Sequence, residues 1–237
     1  MRELPRAVLF DLDDTLLRAY AQPERAWAKV TAEHAAELGP LDPAALADAI
    51  QAFAREFWSD PERHRHWRQR LAASRREIVR AVFRSTPLPS ELADRVADRF
   101  TALRDAEMCL NPGACETLEA LRGRGIRLAL LTNGAAEPQR AKLARFGLTP
   151  RFDHVQIEGE HGFGKPEERA YRHALDCLGA TARDTWIVGD NLEWEVAAPQ
   201  RLGIHAIWYD GEGTGLPADG SIRPDRVIRR LAELVES

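Results

Sequence analysis

Ala7-Val8-Leu9-Phe10-Asp11-Leu12-Asp13-Asp14-Thr15 runs through four apolar residues and then meets three acids in four positions. A short run that is apolar throughout suits a strand covered on both faces, as in a parallel sheet flanked by helices. Runs of the same kind recur at 128–131, 155–157, 186–188 and 206–208, with helix-like segments between most of them. Strands alternating with helices predict an α/β fold, a Rossmann-like doubly wound parallel sheet. Polar residues gather where these runs end. In such sheets the ligand crevice lies outside the carboxyl ends of the strands.

The alternation breaks once. Residues 18–108 carry helical patterns and no strand, so an all-helical domain is expected there, inserted into a core of residues 1–17 and 109–237. Asp42-Pro43 reads as a helix N-cap and first position, followed by a stripe of Leu46, Ala49, Ile50, Phe53, Phe57 and Trp58. Asp60-Pro61 repeats the signal ahead of Trp67, Leu71, Ile78 and Val82, and Ser90 opens a further helix. Asn111-Pro112 is read as the start of the helix that returns to the α/β pattern. The stretch 210–224 is rich in Gly and Pro and is expected to be irregular.

Composition narrows the function classes. The 237 residues are 44% hydrophobic and 30% charged, with a net charge of −4. That balance disfavours a chain held to nucleic acid by bulk charge. No apolar run is long enough to span a bilayer, and residues 1–10 lack a signal-peptide apolar region, so a cytoplasmic protein is expected. Cys109, Cys115 and Cys177 form no C-x-x-C pair and are read as reduced, mostly structural thiols. The basic residues comprise 30 Arg and only three Lys, namely Lys29, Lys142 and Lys165, which draws attention to any lysine in a loop that carries chemistry. Arginines in 55–84 are read as a solvated helix face.

Four segments stand out. Asp11, Asp13 and Asp14 repel one another unless a cation or shared proton intervenes, and oxygen-only ligands at a strand end suit Mg²⁺. Alternate residues of an extended segment point the same way, so Asp11 and Asp13 can share one site. Thr132-Asn133-Gly134 follows the second run and offers a hydroxyl, an amide and a close backbone approach. Gly159 to Lys165 satisfies most of a P-loop, but Pro166 stands where the Mg²⁺-binding hydroxyl belongs, so that reading fails. Pro166 is read instead as the first residue of a helix with Lys165 at its entrance. His161, four residues earlier, is read as an ordinary loop histidine. Asp190 closes the fourth run, with Glu193 and Glu195 beyond it. Lys142 is placed on a helix whose other face carries Leu143 and Phe146, so its replacement by Arg is expected to be nearly silent.

Taken together, Asp11/Asp13/Thr15, Thr132, Lys165, and Asp190 with Glu195 resemble the four ordered motifs of the haloacid dehalogenase superfamily. The similarity covers residues 5–17 and 109–210, and the insertion point matches that family's helical cap of the first type. The stretch from Gly189 to Gly203 looks most like the phosphatase branches. The resemblance implies that Asp11 is a nucleophile that becomes an aspartyl-phosphate, and that Asp13 is the acid and then the base. It implies Mg²⁺ held by Asp11, the Asp13 backbone carbonyl and Asp190. Thr132, the Asn133 backbone and Lys165 would hold phosphoryl oxygens, and Glu195, with Glu193 as the alternative, would orient Lys165 or a metal-bound water. The expected activity is hydrolysis of a small phosphorylated metabolite by a monomer or homodimer that binds neither nucleic acid nor membrane. The alternatives are a phosphomutase, a metal-independent 2-haloacid dehalogenase or an inactive binding module.

Overall fold

The computed structural model describes residues 4–19, 22–218 and 220–236. They fall into two compact units, Met1–Arg18 with Cys109–Ser237, and Ala19–Met108. The first unit carries eight strands among its described residues: β1 (Ala7–Phe10), β2 (Leu17–Arg18), β3 (Cys109–Leu110), β4 (Arg127–Thr132), β5 (His154–Ile157), β6 (Thr185–Gly189), β7 (His205–Tyr209) and β8 (Arg226–Ile228). Six form a parallel sheet in the order β5-β4-β1-β6-β7-β8, while β2 and β3 pair antiparallel. All five apolar runs are strands. The edge strand β8 and the two-residue pair β2–β3 carry no such run and were not anticipated. The irregular reading of 210–224 holds for the described residues; Asp219 lies outside them.

Strand order reverses at β1. The chain moves to β4 and β5 on one side and to β6, β7 and β8 on the other. Phe10 is in register with Leu130 and with Val188, so the residues after β1, β4 and β6 emerge along one sheet edge. Every β1 side chain is buried, and alternate residues serve opposite faces: Ala7 and Leu9 join Ala129, Leu131, Ile187 and Tyr171 in one cluster. That explains runs without alternation.

The second unit holds helices α1 (Pro23–Glu33), α2 (Pro43–Ser59), α3 (Pro61–Trp67), α4 (Leu71–Phe83) and α5 (Ser90–Glu107). Asp42 caps α2 by accepting from the Ala44 and Ala45 N–H groups, and Asp60 caps α3 by accepting from Arg63. The expected single helix after Asp60 is two. Residues 68–70 turn between them, yet the stripe keeps its four-residue step from Trp67 to Leu71, so the break leaves no mark in the periodicity. The core of the unit includes Trp27 stacked on Phe100 at 3.6 Å, with Ile50, Phe57, Ile78 and Val96. Arg76 and Arg80 do not simply face solvent: they form two-point ion pairs with Asp98 and Asp94 across α4 and α5.

Helices α6 (Ala114–Gly123), α7 (Ala136–Arg145), α8 (Glu158–His161), α9 (Glu168–Leu178) and α10 (Ala198–Gln200) belong to the first unit. Two helix starts need correction. Residue Pro112 is not the first residue of α6, whose N-cap is Gly113 at φ 78; Asn111 instead donates its side-chain N–H to the Thr15 carbonyl at 2.7 Å. Nor does Pro166 open α9, which begins at Glu168 behind Glu167. The backbone of Lys165 is held elsewhere, and Glu167 turns back to the Gly164 carbonyl.

Candidate functional site

The acid loop starts where β1 ends. Asp11 donates its backbone N–H to Val188 of β6 at 3.0 Å, and the chain then turns, with Leu16 and Leu17 both donating to the Leu12 carbonyl. Asp14 takes the left-handed region at φ 60, which an Asp tolerates better than a branched residue. Thr15 is buried, and its hydroxyl lies 3.5 Å from Asp190 Oδ1.

Lys165 is drawn into this cluster by its own loop. Its N–H donates to Asn133 Oδ1 at 2.9 Å, and its carbonyl accepts from Asn133 Nδ2 at 2.7 Å. That two-way clasp needs Gly164: a Cβ there would sit 2.4 Å from Asn133 Oδ1. The Lys165 side chain, 2% exposed, ends with Nζ 2.5 Å from Asp11 Oδ1 and 2.7 Å from Glu195 Oε1. The side chain of Asn133 therefore builds the site.

Glu195 reaches Lys165 because residues Leu192–Ala197 form a widened π-turn, capped by Asn191, which accepts from Glu193 and Trp194. Glu195 Oε2 accepts from the Asn191 N–H at 2.9 Å. Gly189 leaves the space for this: a Cβ there would lie 2.1 Å from Glu195 Cγ. Glu193 points elsewhere, exposed and 3.3 Å from Arg201. Of the two acids, Glu195 is the one in the cluster.

Asp13 has partners that sequence reasoning missed. Lys142 Nζ lies 2.7 and 2.8 Å from its two carboxylate oxygens, and Gln139 Nε2 donates to Oδ2 at 3.0 Å. Gln139 also donates to Thr132 Oγ1 and to the Asn133 carbonyl. The expectation that Lys142 is a bystander is corrected: one turn of α7 carries Gln139 and Lys142 towards the acids while Leu143 is buried beside them. The scarcity of lysine was the available signal, since two of the three converge here. Lys29 pairs with Glu107 at 3.8 Å in the helical unit.

Two ammonium groups thus face four carboxyls: Asp11, Asp13, Asp190 and Glu195. Burial raises Asp190 well above the usual carboxylate range, and neighbouring Asp11 and Glu195 add to it. Burial also raises Asp11, with Lys165 opposing, and pushes Glu195 up to about 7. Burial opposes the Lys165 ammonium, but Asp11 and Glu195 outweigh it and raise its pKa. A buried, oxygen-only cluster short of positive charge fits a hard divalent cation such as Mg²⁺. Asp11 and Asp190 offer carboxylate oxygens for such an ion.

A profile of haloacid dehalogenase-like hydrolases matches residues 5–203. The chain is 32% identical to a phosphoserine phosphatase of Thermus thermophilus, covering 97% of both chains. It is 33% identical to a ribulose-1,5-bisphosphate 5-phosphatase of Halopiger xanaduensis, covering 86% of this chain and 84% of that one. The solved structure of YfnB from Bacillus subtilis, a HAD-hydrolase bound to magnesium, shares the fold with a TM-score of 0.71 and 23% identity over 98% of this chain and 97% of the other. Similar solved structures include haloacid dehalogenases as well as phosphatases.

Proposed function

The chain belongs to the haloacid dehalogenase-like hydrolase family, and on that premise we propose that it hydrolyses a small phosphomonoester, with Mg²⁺, through a phosphoryl group carried on Asp11. The observation that carries this reading is Asp13, held beside Asp11 by Lys142 and Gln139. An alcohol leaving from phosphorus needs a proton, whereas a halide leaving from carbon does not. The curated phosphatase relatives support it.

The residues divide the work as follows. An Asp11 oxygen attacks phosphorus as the ester oxygen departs, and Asp13 protonates that oxygen. Asp13 then takes a proton from the water that attacks the phosphoryl-Asp11, releasing phosphate and restoring the carboxylate. Lys165 offsets charge on Asp11 and on the transferring phosphoryl oxygens. Thr132 Oγ1 accepts from Gln139 and makes only a long 3.4 Å contact to the Asn133 carbonyl, which a phosphoryl oxygen would replace as acceptor of its proton; the Asn133 backbone serves another. Glu195 keeps Lys165 in position. Mg²⁺, held by Asp11, Asp190 and the Asp13 carbonyl, would neutralise the charge that otherwise makes a carboxylate a poor attacker of a phosphate dianion. The helical unit is proposed as the cap that selects the substrate.

Phosphate release from p-nitrophenyl phosphate and a panel of phosphorylated metabolites tests the reading. Activity should require Mg²⁺, vanish with excess EDTA and return on adding Mg²⁺. Full turnover after chelation would contradict it. Metal-free stability gives a second readout. Glu195 binds its proton more tightly when folded, so its contribution is complete below its unfolded value of 4.5 and is lost as pH rises through about 7. Stabilisation by Mg²⁺ should therefore grow across that window in thermal melts.

Lys142→Met should lower kcat for alkyl phosphates by about tenfold to a hundredfold, through a misplaced Asp13, with KM little changed. The loss should be smaller for p-nitrophenyl phosphate, whose leaving group needs little protonation. Equal losses on both would contradict the link between Lys142 and proton transfer.

A further inference from the structure

Beside the edge strand β5 lies a second cluster that the proposed hydrolysis does not use. His154 sits on β5, His161 ends α8, and His173 and Cys177 lie one turn apart on α9. That i,i+4 spacing places the last two on one helix face. The His173 ring is 5.3 Å from that of His154 and 5.0 Å from that of His161.

The hydrogen bonds fix which ring nitrogens are left to bind. Gln156 Nε2 donates to the Ala170 carbonyl at 3.0 Å, which turns its Oε1 towards His173 Nδ1 at 2.8 Å. His173 Nδ1 must then carry the proton, leaving a lone pair on Nε2. His161 Nδ1 faces the Ile157 carbonyl at 3.1 Å, with the same consequence. A ring that donates from one nitrogen and offers the other is the arrangement that orients metal-ligating histidines. Meanwhile the His154 Nε2 atom is buried and has no hydrogen-bond partner among the described residues.

Distances agree. One ligand atom each from His154, His173 and Cys177 lie within 4.8 Å of one another, and Cys177 Sγ is 3.8 Å from His173 Nε2. Tetrahedral zinc with its usual Zn–S and Zn–N lengths sets N and S about 3.6 Å apart. Side-chain adjustments of about an ångström would close the site. Arg140 adds no unmatched cation, since Glu160 holds it through two contacts of 2.7 Å.

We propose that His154, His173 and Cys177 form a metal site for a divalent cation of the zinc class, flanked by His161 and distinct from the carboxylate cluster. Imidazole and thiolate ligands select borderline and soft cations, whereas the Asp11 cluster offers only oxygen. On binding, the Cys177 thiol passes its proton to solvent as the sulfur–metal bond forms. The ion would tie β5 to α9.

The test is a Co²⁺ titration of the full chain in excess Mg²⁺, which occupies the carboxylate cluster. The expected result is a near-ultraviolet thiolate-to-cobalt charge-transfer band that saturates at one equivalent and is bleached by Zn²⁺. Cys177→Ser, at an exposed position, should abolish the band and leave phosphate release unchanged. His154→Ala and His173→Ala should each weaken cobalt binding at least about tenfold. No band in the unaltered protein, or a band that persists in Cys177→Ser, would overturn the proposal.

Discussion

Asp11→Asn is expected to abolish phosphate release, by on the order of 10⁵-fold or more, while leaving the fold intact. The amide fills nearly the same volume at the end of β1 and keeps the backbone bond from residue 11 to Val188. It is not a nucleophile, and it cannot form the acyl phosphate. Circular dichroism unchanged beside lost turnover is the expected pair of results. Activity above about one per cent would mean that Asp11 is not the attacking group.

Lys165→Ala is expected to lower kcat/KM by about 3 kcal/mol or more, a hundredfold or above, because it removes a charge aimed at the transferring phosphoryl group. Its second effect is on stability. The Lys165 Nζ lies between two buried carboxyls, Asp11 and Glu195. Truncating one partner of a buried ion pair leaves uncompensated charge and costs about 3–5 kcal/mol, which urea denaturation of the metal-free protein reads. Lys165→Arg should also lose activity, since the planar guanidinium is too large for a site that leaves Lys165 2% exposed. Full activity in Lys165→Ala would remove Lys165 from the chemistry. Lys142→Arg is not expected to be silent either, because Lys142 grips Asp13.

The features that could be read from the sequence are those set by local pattern. Five apolar runs became five of the six strands of the parallel sheet because burial on both faces demands apolar residues at every position. Asp42 and Asp60 announced their helices because a cap bond closes within three residues. Asp11, Asp190, Lys165 and Glu195 were found through motif order, and the structure brings them together. Unread features depend on contacts distant in sequence. Gln139 and Lys142 look like ordinary polar residues on α7 until the register of β1 against β4 places Asp13 beside them. The choice of Glu195 over Glu193 follows from the π-turn, which periodicity does not reveal. Pro166 carried a helix-start signal, but the Asn133 clasp on Lys165 delays α9 to Glu168.

The central claim is that the phosphoryl group rests on Asp11, and the most direct measurement is to catch it there. Asp13→Asn should still accept a phosphoryl group from p-nitrophenyl phosphate, whose leaving group needs little protonation, yet lack the base that activates water for its release. Acid-quenched Asp13→Asn, digested and analysed by mass spectrometry, should carry one phosphoryl group on the peptide containing Asp11, and none when Asp11 is also replaced by Asn. Release of phosphate by the unaltered enzyme with no phosphoryl group trapped on Asp11 in this variant, or with the group on another residue, would contradict the account.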